Sequence, residues 1–138
     1  MTKPLVIVVA AALMNADRKI LFCERPAGKS MAGLWEFPGG KVEAGETPEQ
    51  ALVREMFEEL NVVIDPKDLE PLTFASHEYD TFHMLMPLYV CRAWAGEMKG
   101  LEGQRFEWAE MSKLKNYPMP PADLPLIERI VDFLSRIF

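Results

Sequence analysis

Short runs of apolar residues open the chain, and a helical period replaces them near its middle. Residues 6–14 are apolar, residues 15–18 (Asn-Ala-Asp-Arg) form a polar turn, and residues 19–24 are apolar again, which predicts a β-hairpin. Residues 25–33, rich in Gly, Pro, Ala and Ser, read as a loop. Two short strand pieces follow, 34–37 and 41–43, broken by Pro38, Gly39 and Gly40. At Thr47 the period changes. Thr47 is a favoured N-cap, Pro48 suits the first helical position, and Gln50 completes a capping box. Val53, Met56, Phe57 and Leu60 then recur at i, i+3, i+4 and i+7, which predicts a core-facing stripe. Strands are expected at 72–76, 83–94 and 105–108, and a helical turn at 112–116. A closing helix over 123–138 carries Ile127, Val131, Leu134 and Phe138 at helical spacing. Strands that enclose one helix and end on another imply an α+β chain, an α/β/α sandwich with a central mixed sheet. No linker, repeat or low-complexity tract divides residues 1–138, so one domain is expected.

The first helix has a second face. At about 100° per residue, Glu55, Glu58 and Glu59 fall within an arc of roughly 100°, nearly opposite the expected apolar stripe. A solvated acidic face would look the same. Like charges at these spacings, however, cost about 0.2–0.5 kcal/mol per pair, and only Arg54 offsets them locally. Hard divalent cations turn such a cluster from a cost into a site, because Mg2+ prefers carboxylate and carbonyl oxygens.

Composition narrows the ligand. The chain has 138 residues, 49% of them hydrophobic, and a formal net charge of −6. That length supports a core without disulfides or structural metal. An acidic surface argues against a nucleic-acid polymer as partner, which needs a basic stripe, yet a small anion can still bind beside cations. Cys23 and Cys91 sit in apolar runs without metal-ligand spacing and read as reduced thiols. The run 6–14 is too short to span a bilayer and shows no signal-peptide cleavage site, so no membrane partner and a cytoplasmic setting are expected.

A longer pattern contains these carboxylates. Gly40, five residues, Glu46, seven residues, then Arg54-Glu-Met-Phe-Glu-Glu59 resembles the Nudix box, Gly-x5-Glu-x7-Arg-Glu-U-x-Glu-Glu-x-Gly-U, where U is bulky and aliphatic. Eight of its nine specified positions match. Asn61 stands where the box has Gly, just before Val62. A left-handed residue is expected there, after the helix, and Asn is the usual substitute for Gly.

The resemblance implies the Nudix fold and a Mg2+ (or Mn2+) cofactor held by Glu55, Glu58, Glu59 and the Gly39 carbonyl. Arg54 would orient the carboxylates, Glu46 would support the loop-to-helix junction, and Glu55 is the expected base. Glu102 matches the place of a further ligand in MutT-like members, although on its residues alone it reads equally well as a solvated loop acid. The stretches 24–28, 33–41, 102–104 and 117–123 resemble the same branch. Its members convert nucleoside triphosphates to monophosphates and pyrophosphate, and several remove oxidised nucleotides such as 8-oxo-dGTP, a DNA-repair role.

Carried over by position, Arg25 would meet phosphate, and Glu36, Phe37, Pro38, Gly39 and Lys41 would line the substrate site. Phe37 reads as core packing too. Asp123 aligns with a base-reading asparagine. An ionised carboxylate only accepts hydrogen bonds, which suits an exocyclic amine and an alternative substrate such as CTP or 5-methyl-dCTP. A protonated one also serves oxidised guanine. Capping of the last helix is a further reading of Asp123. A non-hydrolytic nucleotide-binding module would typically lack some box carboxylates, and here all are kept. A monomer or homodimer acting on a small nucleoside triphosphate is expected.

Overall fold

The computed structural model describes residues 3–137. Its strands are β1 (Leu5–Leu13), β2 (Ile20–Glu24), β3 (Trp35–Glu36), β4 (Gly39–Lys41), β5 (Leu69–Glu78), β6 (His83–Cys91) and β7 (Phe106–Ala109). The helices are α1 (Pro48–Leu60) and α2 (Leu124–Ile137), with 3-10 turns at Pro66–Asp68 and Met111–Asn116. A mixed sheet runs β4-β1-β6-β5, with β1 parallel to β6, and an antiparallel sheet runs β3-β2-β7. The α+β reading therefore holds, with the strand layer divided into two sheets.

The two helices cover opposite faces. Val9, Ala11 and Leu13 of β1 pack with Leu52, Met56 and Leu60 of α1. Ala10 and Ala12 share a core with Leu126, Ile130 and Leu134 of α2. A strand buried on both faces needs no polar alternation, so residues 9–13 read as one apolar run.

That same burial corrects the expected hairpin. The turn is real: Asn15 Oδ1 accepts from the Asp17 N–H (3.0 Å) and Lys19 N–H (2.9 Å), and Arg18 adopts φ 61°. Only one bridge, Met14 to Ile20, joins the flanks before they part into different sheets. β1 takes β4 and β6 as neighbours, whereas β2 takes β3 and β7. Gly39 and Gly40, expected to break strands, form β4 instead.

The capping box of α1 is present, with Thr47 accepting from the Gln50 N–H. Asn61 ends the helix at φ 63°, ψ 23°, in the left-handed region. The apolar face is displaced from the expected stripe. Leu52, Met56 and Leu60 are buried and Val53 partly so, while Phe57 is 54% exposed. Leu52, Met56 and Leu60 form an i, i+4, i+8 line that fits the helical period equally well and lies roughly 50° closer to the carboxylates. Glu59 is thereby drawn toward the core. In α2, Ile127 and Leu134 are buried as expected but Val131 is not, and Phe138 lies outside the described residues. Cys23 and Cys91 are free and buried. No helix among the described residues is long and apolar enough to cross a membrane.

Candidate functional site

Arg54 organises the start of the site. Its Nε and Nη2 donate to the two oxygens of Glu46 at 2.8 and 3.0 Å, a bidentate pair of the strong kind. Nη1 reaches Glu55 Oε1 at 3.0 Å and Glu58 Oε2 at 3.3 Å, and Nη2 donates to the Lys41 carbonyl at 3.1 Å. Glu46 in turn accepts from the Glu43 N–H at 3.0 Å. The guanidinium and this N–H hold the Glu46 carboxyl down at about 2. One arginine thus ties the loop before α1, the end of β4 and two helix carboxylates together.

Glycine makes room for them. A Cβ on Gly40 would collide with the Glu55 carboxylate, and one on Gly39 would strike the Val9 carbonyl of β1. The missing side chain of Gly39 therefore serves the close packing of β4 on β1. Glu55 is half-buried, and this burial raises its pKa despite Arg54.

Glu59 is the anomaly. Its Oε2 is buried without a hydrogen-bond partner. Burial, the Glu55 carboxyl against it, and the charges of Glu102 and Glu36 push its pKa up to about 9. A buried carboxyl facing three other acids, with an orphan oxygen, needs either a proton or a cation. As the side chains stand, no three His, Cys, Asp or Glu among the described residues converge closely enough to hold a metal, since Glu55 and Glu58 turn to Arg54. The donor set still fits a hard divalent ion: all its charged donors are carboxylates, and the orphan oxygen asks for positive charge.

A second cleft adjoins this one. Pro38, Glu59 and Glu102 line the acidic cleft, whereas Phe37, Gly39, Lys41 and Asp123 line a larger one of about 430 Å³. Arg25 and Glu36 border both. Arg25 Nη1 donates to Glu36 Oε1 at 2.9 Å, and its Nε donates to the Ser30 carbonyl at 2.7 Å, bracing the loop. Burial raises the Glu36 pKa against this ion pair.

The larger cleft has apolar walls that the sequence reading missed. Tyr79 and Phe82 stack at 5.0 Å beside Met84 and Met86. The strand pattern marked residues 83–94 as a strand, but not which face would be left open. Phe37 meets both expectations: it packs edge-on against Phe22 at 4.9 Å and also lines the cleft.

At the back lies Asp123, 3% exposed. Its Oδ2 accepts from the Phe37 N–H at 3.4 Å, joining the start of α2 to the segment between β3 and β4. Burial first, and the neighbouring Glu36 second, raise its pKa to about 8. Burial thus favours the protonated form, which can both donate and accept.

The chain resembles known proteins along most of its length. A family model described as a NUDIX domain matches residues 9–129. The chain is 40% identical over 133 residues to an 8-oxo-dGTP diphosphatase of Haemophilus influenzae, covering 96% of each protein. To a CTP pyrophosphohydrolase of Escherichia coli it is 39% identical over 124 residues, covering 88% of this chain and 89% of that protein. Among solved structures, that of the E. coli ORF135 protein superposes with a TM-score of 0.85 at 34% identity, covering 97% of this chain and 94% of that one.

Proposed function

The chain belongs to the Nudix family of hydrolases, and from that premise we propose that it is a nucleoside triphosphate pyrophosphohydrolase dependent on Mg2+ or Mn2+. Its products are the nucleoside monophosphate and pyrophosphate, and oxidised purine nucleotides such as 8-oxo-dGTP are its preferred substrates. The observation that carries this reading is the buried, unpartnered oxygen of Glu59 among acidic neighbours, next to an apolar cleft of nucleoside size.

Glu55, Glu58, Glu59 and Glu102, with the Gly39 carbonyl, are the residues that would hold the metal. When bound, it supplies charge neutralisation at the phosphoryl oxygens and a lowered pKa for water. Glu55 takes the proton from the attacking water at a carboxylate oxygen, a task suited to its raised pKa. Arg54 keeps Glu55 and Glu58 oriented. Arg25 and Lys41 meet the phosphates at the join between the clefts, and Glu36, Phe37 and Pro38 position the nucleoside.

Asp123 reads the base. In its neutral form it donates to the O6 of 8-oxoguanine and accepts from the N7–H that oxidation creates. A second reading, hydrolysis of CTP or a modified pyrimidine triphosphate, is supported by the 39% identity to a CTP pyrophosphohydrolase. A panel of nucleoside triphosphates with Mg2+, followed by pyrophosphate release, separates the two. Higher kcat/KM for 8-oxo-dGTP than for CTP or 5-methyl-dCTP is expected. The reverse order would favour the pyrimidine reading, and turnover of no member would contradict both.

A further inference from the structure

Gln104 has no place in the reading above, yet both ends of its amide are committed. The residue is 9% exposed. Its Nε2 donates to the Glu59 carbonyl at 3.1 Å, and its Oε1 accepts from the Glu102 N–H at 2.9 Å. The two groups it joins belong to two of the segments that bring carboxylates to the acidic cleft: the end of α1, with Glu59, and the loop before β7, with Glu102.

The carbonyls of the last helical turn lack intrahelical donors and must find them elsewhere. This loop supplies them. The Lys99 N–H donates to the Leu60 carbonyl and the Leu101 N–H to the Glu59 carbonyl, each at 2.9 Å. Those bonds fasten the loop before it reaches Glu102. Among the described residues, it is the Gln104 amide that ties residue 102 itself. Gly100 allows the fold-back, because a Cβ there would strike the Gln104 carbonyl oxygen. An amide is also what the position demands, since one end must donate and the other accept.

Resting on the metal-dependent reading, we propose that Gln104 is a positioning residue: it fixes the Glu102 backbone against the C-terminal end of α1, so that the Glu102 and Glu59 carboxylates serve one cation. Gln104 lines the cleft too, but both ends of its amide are bonded to protein groups, through which it acts. Removing the amide leaves the Glu59 carbonyl with its Leu101 donor and the Glu102 N–H on an exposed loop, so the fold survives while the loop loosens.

The test is a double-mutant cycle of Gln104→Met and Glu102→Gln, read by Mn2+ binding in electron paramagnetic resonance without nucleotide, and by steady-state kinetics. Gln104→Met is expected to weaken Mn2+ binding about 10-fold, the low end for residues that orient metal ligands. It should also lower kcat and leave nucleotide KM within about twofold, because the nucleoside contacts are untouched. In the Glu102→Gln background the same change should alter Mn2+ affinity less than about twofold, as coupled residues require.

An equal loss in both backgrounds overturns the proposal, as does wild-type Mn2+ affinity in either Gln104→Met or Glu102→Gln. Should Gln104→Met fail to fold, Gln104→Asn carries the same cycle with the amide kept but too short to span both partners, and the same outcomes decide. A wild-type protein that binds no Mn2+ overturns the underlying reading together with this assignment, and shows it before any variant is made.

Discussion

Burial favours the protonated form of two carboxyl groups, and their surroundings give them different work. Glu59 lies against Glu55 with one oxygen unpartnered, and Asp123 closes an apolar cleft with its oxygen on the Phe37 N–H. The identity of both was legible in the sequence, Glu59 from the box spacing and Asp123 from its neighbourhood. Their protonation was not, because it depends on how far each is drawn inside. Glu59→Gln keeps the neutral shape but cannot ligate as a carboxylate. It is expected to lower kcat by at least about 10²-fold, the scale for losing one preorganised electrostatic contact, with folding intact by circular dichroism. Near-normal turnover would remove Glu59 from the metal set. Burial raises the Asp123 pKa to about 8, so its ionised form gains as pH rises through that value. The preference for 8-oxo-dGTP over CTP should therefore fall as pH is raised through 8, while Asp123→Asn shows no such fall over that range. A preference that moves identically in both proteins would reduce Asp123 to a structural acid.

Local signals were enough to place α1 and its ends. Thr47, Pro48 and Gln50 predicted its start, and Asn61 its left-handed stop, since caps depend on residues within one turn. The facing of the helix was not legible, because two stripes, one through Phe57 and one through Leu52, fit the same period. Only the underside of β1 and β2 decides between them, and it selects Leu52. The hairpin was misread for a related reason: apolar patterning reports burial, not which strand lies alongside. Asn61 offers a test at this scale. Asn61→Gly relieves the φ of 63° and loses the Nδ2 bond to the Glu97 carbonyl, two effects of about 1 kcal/mol with opposite sign, so stability should barely change. Asn61→Ala keeps the strain and loses the bond, and should cost roughly 1–2 kcal/mol in urea unfolding. A large loss in the glycine variant would show that the side chain, not the backbone, sets this terminus.

At the scale of the whole molecule, the site is a meeting of segments remote in sequence. The glycine strand β4 lines the apolar cleft, Arg25 and Glu36 border both clefts, and Asp123, just before α2, reaches the Phe37 N–H. The box marked one side of this junction. Tyr79 and Phe82 escaped notice because the sheets bring them in, and no local spacing announces that. Gln104 lay in a stretch the resemblance covers, but its bond to the Glu59 carbonyl, 45 residues away, is visible only in the fold. The buried acids also give the whole protein a signature in pH. Glu59 and Asp123 have folded pKa values raised above their ordinary 4.5 and 3.8, so the folded state binds protons that the unfolded state has released. The stability they confer is complete below about 4 and is lost as pH rises toward 8–9. Melting temperature without metal should fall across that interval, and Mn2+ should restore more of it at pH 8.5 than at pH 6. A flat profile would deny that these acids are buried.

The central claim is that this acidic junction cuts a nucleoside triphosphate with the help of a divalent ion. Its most direct test is 31P NMR of the purified protein with 8-oxo-dGTP, run with Mg2+ and again with excess EDTA. Pyrophosphate and 8-oxo-dGMP should accumulate with Mg2+ and not with EDTA. Release of inorganic phosphate and a diphosphate, or equal turnover in EDTA, would contradict the account.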